Sequence, residues 1–458
     1  MPSAISRSEK VAAVLDEARA DYAKANLKSQ EIHKKSSLSL PGGKHFIIHR
    51  YCKPNAFEGT TRNVIHFHPF PLILESGNGS YLTDADGHRY LDLCGEYSAG
   101  MFGHSHPVIT QAMHAAIDSG FALGGVNKFE GRLAQLFCSR FAGIDKIRFS
   151  NSGTEANLTA LALVKAYTKR NTIIVFKGGY HGGLATFGKD GKVAANVMNA
   201  PHNFVIAPYN DIKALDELVE EHRDDLACIF LELMQGSSGC LPADVDFIKA
   251  TRAKATEVGA VLMFDEVMTS RMSTGGLQKL LGVCPDMTTL GKYFGGGGQN
   301  FGAFGGRAEI MSIIEPGHPG GAYHSGTYNN NVTTMAAGVA VLEQVWTETA
   351  ATELYTMGEW LQEELEQVSK EAGSILRVTG VGSLMTLHFS TKEVRSAADV
   401  QESLIDLKEL FFFDMLKKGF FLAQRGMISL MTVTTKEELN DFVEAVRQFL
   451  VERKDLVC

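Results

Sequence analysis

The stretch Val261-Leu262-Met263-Phe264-Asp265-Glu266-Val267 sets two carboxylates directly after four apolar residues. Further along, Gly291-Lys292-Tyr293-Phe294-Gly295 places one lysine between glycines, at the start of the run Gly295–Gly298. An apolar run that ends in acidic residues is typical of a buried strand in an α/β sheet. Ligands bind beyond the carboxyl ends of such strands, so the sequence predicts that Asp265 lies at the binding edge of a sheet.

Outward from this stretch, short apolar runs alternate with helical patterns. The predicted strands are Lys146–Phe149, Thr172–Phe176, Cys228–Leu233, Val261–Phe264 and Thr288–Leu290, and the predicted helices span 108–119, 154–169 and 245–257. Alternation of this kind predicts an α/β fold built around a mostly parallel sheet.

The two ends of the chain depart from this alternation. We predict one N-terminal helix over 8–35, two short strands joined by an Asp-Gly turn over 81–92, a helix over 332–347, and C-terminal strands over 383–388 and 428–432. The chain therefore divides into three predicted parts. Residues 1–105 form an N-terminal helix and a segment that contributes to a small domain and to the site entrance, 106–335 form the large α/β domain, and 336–458 form a small α+β domain.

Composition and charge argue against several classes of protein. The 458 residues carry a formal net charge of −8 and a pI near 6.0, so neither nucleic acid nor an anionic membrane is expected as the main partner. The seven cysteines contain no Cys-x-x-Cys pair, which favours reduced thiols over disulfides or a zinc site, and we predict no metal. No apolar stretch of about 18 residues indicates a membrane span. The first residues contain no apolar core of a secretory signal, so we expect a cytoplasmic location.

The segment Ser152-Gly153-Thr154 follows a predicted strand and opens a predicted helix. Backbone N–H groups at a helix start, with hydroxyls beside them, form a natural anion site. Glu155 stands three residues after Ser152, so the same segment also fits a helix capping box, and both interpretations can hold together. Thr327 lies in the polar run 324–331, whose hydroxyls could bind a phosphate or cap the following helix.

Two more segments are predicted to face the same sheet edge. Tyr180 lies in Gly178-Gly179-Tyr180-His181-Gly182, where glycines allow a ligand to approach the backbone and the tyrosine ring could stack on a planar group. A mobile loop with two aromatic residues is the alternative interpretation. Glu232 ends the apolar run 228–231 and would point to the edge that carries Asp265.

Lys292 decides which chemistry this edge performs. A Walker-type phosphate loop fails because Tyr293, rather than serine or threonine, follows the lysine, which leaves a surface lysine beside a glycine loop as the alternative. An acid at a strand end and a lysine on a flexible turn could instead hold opposite ends of pyridoxal 5′-phosphate. The lysine would form a Schiff base with the aldehyde, and Asp265 would hold the pyridinium nitrogen. Such a lysine must be desolvated, so that its amine is often neutral, and must later act as a general base.

The order of these segments resembles that of the class III aminotransferases, pyridoxal-phosphate enzymes of fold type I, over residues 70–450. The resemblance implies that Lys292 carries the Schiff base, and that Thr327 reaches the phosphate of the cofactor in the neighbouring subunit, which makes the enzyme a homodimer with shared active sites. The implied cofactor-binding residues are Ser152, Gly153, Thr154, Tyr180, Glu232, Asp265, Lys292 and Thr327. Of these, Lys292 and Asp265 are also the implied catalytic residues.

Within the class, Pro69-Phe70-Pro71-Leu72 and Phe301-Gly302-Ala303-Phe304-Gly305-Gly306 are similar to the glutamate-1-semialdehyde aminomutase branch, and to its transaminases of β-amino acids. This resemblance implies that Arg62 binds the substrate carboxylate and Arg425 the dicarboxylate co-substrate, roles that suit the bidentate grip of guanidinium. The implied reaction moves an amino group from a β-amino acid, aromatic or related, to 2-oxoglutarate. Leu233 departs from the pattern, because the family has proline after the strand-end glutamate.

Other functions remain open on the same scaffold. An isomerase, either an aminomutase or an amino-acid racemase, would keep both halves of the reaction on one molecule and need no amino acceptor. A protein that binds the cofactor without turnover is the alternative from another class, and the intact Lys292 and Asp265 argue against it. The predicted partners are thus a small amino acid, a keto acid and a second copy of the chain.

Overall fold

The computed structural model of the chain describes residues 7–40, 69–188 and 198–458. Its helices are α1 (Arg7–Ala25), α2 (Leu27–Ser36), α3 (Pro107–Asp118), α4 (Glu130–Arg140), α5 (Gly153–Thr168), α6 (Ile212–Glu221), α7 (Val245–Val258), α8 (Gly276–Leu281), α9 (Ala308–Met311), α10 (Val332–Ala340), α11 (Glu348–Ala372), α12 (Ala397–Glu402), α13 (Ile405–Lys417), α14 (Lys436–Glu452) and α15 (Lys454–Val457). Short 3-10 turns cover Gly95–Ser98, Thr269–Met272, Lys292–Gly295 and Ser312–Ile314.

The strands complete the element list. They are β1 (Leu74–Asn78), β2 (Tyr81–Asp84), β3 (Arg89–Asp92), β4 (Lys146–Ser150), β5 (Thr172–Phe176), β6 (Asn203–Ala207), β7 (Leu226–Glu232), β8 (Met234–Gln235), β9 (Leu241–Pro242), β10 (Val261–Asp265), β11 (Met287–Gly291), β12 (Gly302–Gly306), β13 (Leu376–Val381), β14 (Leu384–Phe389), β15 (Phe420–Phe421) and β16 (Met427–Ser429).

A seven-stranded sheet in the order β4-β12-β11-β10-β7-β5-β6 forms the centre of the molecule. Strand β10 is parallel to β11 and β7, and β5 is parallel to β6 and β7, whereas β12 runs antiparallel to β11 and β4. Strands β5, β7, β10 and β11 are buried along their whole length, as strands covered on both faces must be. The predicted α/β fold around a mostly parallel sheet is confirmed.

Strand β12 is absent from the predicted strands because most of its residues are glycine, which is depleted in strands. The glycines have a steric cause. A Cβ on Gly302 would lie 2.0 Å from the carbonyl oxygen of Ser152, which no side chain tolerates. Glycine therefore allows β12 to pass directly behind the predicted anion turn.

The prediction of one continuous helix over 8–35 is wrong, because the structure has two helices separated at Asn26. The backbone of Asn26 is non-helical, and its buried side chain donates a hydrogen bond of 2.8 Å to the carbonyl of Tyr22. The carboxylate of Asp86 then accepts the N–H groups of Lys28 and Ser29 at 2.8 and 3.0 Å. A carboxylate that is distant in sequence thus stabilises the start of α2, which a local pattern cannot reveal.

The helix predicted over 332–347 also differs from the structure. Helix α10 ends at Ala340, and a π-helical turn, Val341–Val345, follows it. π-helical turns occur mostly as single-turn insertions in α-helices. Periodicity alone gave no indication of this turn, since its residues continue the apolar pattern.

Two smaller sheets join distant parts of the chain, in the orders β1-β2-β3-β15 and β13-β14-β16. Strand β15 lies parallel to β3, so residues 89–92 pair with the C-terminal region. The division of the chain at 105/106 and 335/336 stays a prediction. None of the helices in the described ranges has the length and apolar composition needed to cross a membrane.

Candidate active site

Three strand ends meet at one edge of the central sheet. Asp265, the last residue of β10, pairs in register with Glu232, the last residue of β7, and with Thr289 of β11. Gly291 ends β11, and Lys292 follows it at once. The structure thus brings Glu232, Asp265 and Lys292 together at the edge where the sequence places them.

The carboxylate of Asp265 is held by three donors. Its Oδ2 accepts from Asn157 Nδ2 at 2.8 Å and lies 2.8 Å from His181 Nδ1, and its Oδ1 accepts the N–H of Val267 at 3.0 Å. An ionised carboxylate offers about four acceptor positions. One position on Oδ1 therefore remains for a further N–H donor.

His181 and Asn157 are missing from the predicted site residues. The His181 ring is buried and stacks on Phe230, with 3.7 Å between ring centroids and 23° between planes, so its Nδ1 is fixed towards Asp265. Asn157 projects from the buried face of α5. A buried polar residue on an apolar helix face is the sequence signal that could have indicated Asn157. His181 already stood in the glycine-flanked segment, but its contact spans 84 positions.

Ser152 caps α5, as one of the two interpretations predicts, because its Oγ accepts the N–H of Glu155 at 3.1 Å. The second half of the capping box differs, since the carboxylate of Glu155 accepts the N–H of Asn151 at 2.8 Å, one residue before the cap. The N–H groups of Gly153 and Thr154 precede the first hydrogen bonds of the helix and have no acceptor within it. They lie at the positive end of a 16-residue helix, where an anion is stabilised.

Two glycines, Gly153 and Gly291, leave space between this turn and Lys292. A Cβ on Gly153 would lie 2.9 Å from Val267 Cγ2, and a Cβ on Gly291 would lie 3.1 Å from Val267 Cγ1. The partly exposed Val267 therefore lies between the turn and the lysine. Glycine at both positions leaves an apolar surface between an anion site and an amine.

Lys292 combines a strained backbone with a partly buried amine. Its φ is 58°, a conformation that side chains other than glycine seldom adopt and that clusters at functional sites. The Nζ group donates a hydrogen bond to the carbonyl oxygen of Tyr97. Burial lowers the pKa of Lys292 to about 8, aided by the charge of Arg271 and opposed by Glu96 and Asp265. Its amine is therefore neutral far more often than that of a surface lysine, as the predicted chemistry requires.

The residues around Tyr97 form a left-handed turn. Gly95, Glu96, Tyr97 and Ser98 have consecutive positive φ angles of 52°, 49°, 51° and 79°. Each non-glycine residue in such a conformation costs roughly 1–3 kcal/mol. Asp92 stabilises the start of the turn, since its Oδ1 accepts the N–H groups of Cys94 and Gly95, each at 2.9 Å. The turn aims the carbonyl of Tyr97 at Lys292.

Arg425 reaches the same turn from the C-terminal region. Its guanidinium carbon lies 5.3 Å from the centroid of the Tyr97 ring, within cation–π range. Burial lowers the pKa of Arg425 to about 10, so it remains a cation at neutral pH. Arg62, the other predicted carboxylate-binding residue, lies outside the described residues.

Glu232 supports the loop that carries Tyr180. Its Oε2 accepts the N–H of Tyr180 at 2.9 Å, and Oε1 accepts the N–H of Gly236 at 3.4 Å. Burial, together with the negative charge of Asp265, raises the pKa of Glu232 well above its ordinary value. Burial therefore disfavours the charged form of Glu232, and both of its carboxyl oxygens hold the loop by accepting backbone N–H groups.

We expect Glu232→Gln to keep this function and Glu232→Ala to lose it. Glutamine is neutral and can accept the N–H of Tyr180, whereas alanine leaves that buried donor without an acceptor, which weakens binding on the order of tenfold. Titration of the cofactor-free variants with pyridoxal 5′-phosphate measures the difference. Equal weakening in both variants would show that a charged carboxylate is needed at this position.

Thr327 is exposed, as are its neighbours Tyr323 and Tyr328, 92% and 74% exposed. The structure does not bring its hydroxyl into a hydrogen bond with the anion turn of the same chain. The segment is nevertheless tethered beside that turn, because Asn151 Nδ2 donates to Asn329 Oδ1 at 2.8 Å. Thr327 thus lies on an open surface next to the candidate site.

Comparison with known proteins identifies the fold and its class. The family model described as aminotransferase class-III matches residues 64–450. A β-phenylalanine transaminase from Variovorax paradoxus is 42% identical over 96% of this chain and 97% of its own length. The crystal structure of the β-phenylalanine aminotransferase from that organism matches with a TM-score of 0.91 over 98% of this chain and 99% of that one, at 41% identity. A glutamate-1-semialdehyde 2,1-aminomutase from Thermodesulfovibrio yellowstonii is 33% identical over 88% of this chain and 94% of its own length.

The central sheet and its carboxyl edge are those of a fold type I enzyme that depends on pyridoxal 5′-phosphate. Within that group, the chain belongs to the class III aminotransferases, and it is a transaminase.

The donor set at the sheet edge fits this cofactor. The free N–H groups of Gly153 and Thr154 suit a phosphate, and the amine of Lys292 suits an aldehyde. The remaining acceptor position on Asp265 Oδ1 suits a pyridinium N–H. Val267 supplies an apolar surface between these groups. The residues present therefore match the phosphate, the aldehyde and the pyridinium nitrogen of the cofactor.

Proposed function

We propose that this transaminase moves an amino group from a β-amino acid, with an aromatic side chain or a related one, to 2-oxoglutarate. The relative from Variovorax supports the donor, since it is a β-phenylalanine transaminase and matches 96% of this chain. Arg425 supports the acceptor, because a partly buried guanidinium beside the reacting lysine suits a carboxylate.

Each residue at the edge has one task in this proposal. Bound pyridoxal 5′-phosphate supplies an electron sink that makes a C–H bond next to nitrogen acidic. The neutral amine of Lys292 would take the proton from the amine-bearing carbon of the substrate and deliver it to the former aldehyde carbon of the cofactor, because returning it to the same carbon transfers no amino group. Asp265 holds the pyridinium proton by charge, and the turn at Ser152, Gly153 and Thr154 binds the phosphate. Tyr180 stacks on the ring.

The observation that carries the proposal is the position of Tyr97, which contacts both the amine of Lys292 and the guanidinium of Arg425. Its carbonyl accepts the amine of Lys292, and its ring lies 5.3 Å from the guanidinium carbon of Arg425. Tyr97 therefore links the reacting Lys292 to Arg425, a cation that suits the carboxylate of the substrate. Arg62 is the proposed second carboxylate-binding residue, as the family resemblance implies.

We expect Arg425→Leu to raise the KM for 2-oxoglutarate by roughly 10- to 100-fold, the size of a lost charged hydrogen bond. The KM for pyruvate, which lacks the second carboxylate, should change less. Arg425→Lys keeps the charge without the planar fork, so its KM for 2-oxoglutarate should lie between those of the wild type and Arg425→Leu. Steady-state kinetics with both keto acids gives the comparison. An equal effect on both acids would remove Arg425 from recognition of the second carboxylate.

Aminomutation is a second candidate reaction for this class III enzyme beside transamination, because a relative named glutamate-1-semialdehyde 2,1-aminomutase is 33% identical over 88% of this chain. An aminomutase returns the amino group to the same molecule, so it needs no acceptor. The transaminase should give no product from an amino acid until a keto acid is added. Sustained conversion of one amine without a keto acid would favour the aminomutase.

The proposed homodimer rests on an open apolar surface around Thr327. Phe121, Leu123 and Val126 are 55%, 54% and 87% exposed in the single chain. Their loop is joined to the Thr327 segment, because Asn127 Nδ2 donates to the carbonyl of Asn330 at 2.8 Å. A contiguous apolar surface of this kind is typical of a subunit interface. A second copy would cover it and bring its own Thr327 to the phosphate site of this chain.

Mixed dimers of Lys292→Ala and Thr327→Ala subunits test this arrangement. If Thr327 serves the neighbouring site, both defects fall in one site of the mixed dimer, and the other site is intact. We therefore expect half of the sites to bind pyridoxal 5′-phosphate as tightly as the wild type and to turn over. If Thr327 serves its own subunit, no site is intact, and turnover per dimer falls to about half that of the Thr327→Ala dimer, because only one of the two sites keeps Lys292. Thr352→Ala, at an exposed threonine of α11, is the matched control.

A further inference from the structure

Arg271 is the most deeply buried cation near the site. It lies in the turn Thr269–Met272, a few residues after Asp265, and its side chain is fully buried. Its Nε donates to Ser383 Oγ at 3.0 Å, Nη1 donates to Ser429 Oγ at 2.6 Å, and Nη2 donates to the carbonyl of Leu430. All three acceptors belong to the C-terminal region, so Arg271 links the cofactor strand to that region.

This guanidinium has no acidic partner in the part of the chain that the structure describes. Its hydrogen bonds go to two hydroxyls and one carbonyl, and none of the ion pairs found there includes it. A buried charge without a counter-charge is costly. Fold stability alone would be served as well by an apolar residue of the same size, which points to a functional reason for the charge.

Two chains of contacts run from Arg271 to Lys292. On one side, Ser429, which binds Arg271, donates its N–H to the carbonyl of Leu93 at 2.8 Å, and its own carbonyl would lie 2.7 Å from a Cβ on Gly95. Gly95 opens the left-handed turn whose Tyr97 carbonyl holds the lysine amine. The backbone of Ser429 therefore packs directly against this turn.

On the other side, the link runs through the neighbours of both residues. Tyr293, which follows Lys292, donates its hydroxyl to Ser270 Oγ at 3.1 Å, and Ser270 precedes Arg271. Tyr293 is fully buried and packs on Trp346 at 6.1 Å between ring centroids. Together the contact of Ser429 with the left-handed turn and that of Tyr293 with Ser270 connect Arg271 to both the amine and the backbone of Lys292.

A third chain of contacts leads to Arg425. Only Gly426, Met427 and Ile428 separate Arg425 from Ser429, the last residue of β16, which binds Arg271. Gly426 cannot shift freely, because a Cβ there would lie 2.4 Å from the carbonyl of Leu387. The contact of Arg271 with Ser429 thus fixes the end of β16, and through this short segment it limits where Arg425 can lie.

We propose that Arg271 is a positioning residue that fixes the reacting Lys292 and the carboxylate-binding Arg425 relative to each other, and that its unneutralised charge disfavours a second positive charge on the lysine. The groups that act on Lys292 are consistent with the electrostatic part. Burial and Arg271 lower its pKa, while Glu96, Cys94 and Asp265 raise it. The part that concerns Arg425 depends on the function proposed above, and the part that concerns Lys292 does not.

Two variants separate charge from geometry. Arg271→Met removes both, whereas Arg271→Lys keeps a cation but loses the planar fork that reaches three acceptors. The first measurement is the pH midpoint of the visible absorbance change of the holoenzyme. The second is the Kd of glutarate, a dicarboxylate without a keto group, for the holoenzyme.

With Arg271→Met, we expect the absorbance midpoint to rise, since loss of a positive charge that lowers the pKa of Lys292 favours the protonated nitrogen. The Kd of glutarate should rise by roughly tenfold or more, because small displacements of a binding group are costly. With Arg271→Lys, the midpoint should stay close to that of the wild type while glutarate still binds weakly. Lower thermal stability with both quantities unchanged would overturn the proposal.

Arg170→Met is the matched control. Arg170 also donates to main-chain carbonyls, those of Leu226 and Val258 at 3.1 and 2.8 Å, but at the opposite end of the sheet. It should lower stability and leave the midpoint and the glutarate Kd unchanged. If Arg271→Met does not fold, Ser429→Ala replaces it and should weaken glutarate binding without moving the midpoint. Unchanged glutarate binding in Ser429→Ala would then overturn the proposal.

Failure of the proposed acceptor looks different. If the wild-type holoenzyme binds no glutarate, the dicarboxylate co-substrate is wrong, and the absorbance midpoint still decides the role of Arg271 at Lys292.

Discussion

Replacing Lys292 with alanine is expected to lower turnover by at least about a thousandfold. The side chain has two tasks in the proposed reaction, covalent attachment and proton transfer, and general base catalysis alone contributes roughly 10²- to 10⁴-fold. Among the described residues, the buried cations Arg271 and Arg425 cannot replace it, because their guanidinium groups remain protonated at neutral pH. Steady-state turnover with an amino acid and a keto acid provides the measurement.

The spectrum of the variant gives a second, independent readout. Lys292→Ala should still bind pyridoxal 5′-phosphate through the anion turn and Asp265, yet without the visible absorbance that the bond to lysine produces. Lys254→Ala, at a surface lysine that pairs with Asp216 and Glu257, should behave as the wild type in both assays. Multiple turnovers by Lys292→Ala would remove Lys292 from the reaction.

The sequence predicts the positions of the site residues where these positions depend on neighbouring residues. Asp265 ends one short, fully buried strand and Lys292 directly follows another, so the edge on which they meet follows from sheet topology. Ser152 is equally local, since a helix cap is formed by residues three positions apart. The α/β fold follows from the same alternation of strands and helices.

The missed residues act across long sequence separations. His181 meets Asp265 across 84 positions, and the amine of Lys292 meets the carbonyl of Tyr97 across 195. The role of Tyr97 depends on a left-handed backbone that no side-chain pattern encodes, and three of the four residues in that turn are not glycine. Arg271 follows Asp265 by a few residues, but its proposed role depends on acceptors that lie more than a hundred positions away.

The charges at the site have a common physical basis. Burial, together with the charge of Asp265, disfavours a negative charge on Glu232. Burial, aided by the charge of Arg271, disfavours a positive charge on Lys292. Arg425 keeps its positive charge, which suits the carboxylates of the substrates. Proton transfer at carbon begins from the neutral form of the Lys292 amine.

Asp265→Asn is expected to lower kcat by roughly 10²- to 10³-fold, the size seen when one preorganised electrostatic partner is removed. Asparagine has nearly the same shape, so it should occupy the same position, but it carries no negative charge to hold the pyridinium proton. Single-turnover rates with an amino acid and the holoenzyme measure the effect at the proton-transfer step. A decrease of less than about tenfold would mean that the charge of Asp265 contributes little.

A double-mutant cycle with His181 decides whether Asp265 acts alone. His181→Phe keeps the stacked contact with Phe230 but removes the donor 2.8 Å from Asp265 Oδ2, so we expect a smaller loss of about tenfold. If His181 acts by orienting that carboxylate, the double variant should be no slower than Asp265→Asn alone, because the group it orients has already lost its charge. Losses that multiply would give His181 a separate role at the cofactor. The cycle therefore distinguishes a single electrostatic unit at the pyridinium end of the site from two independent ones.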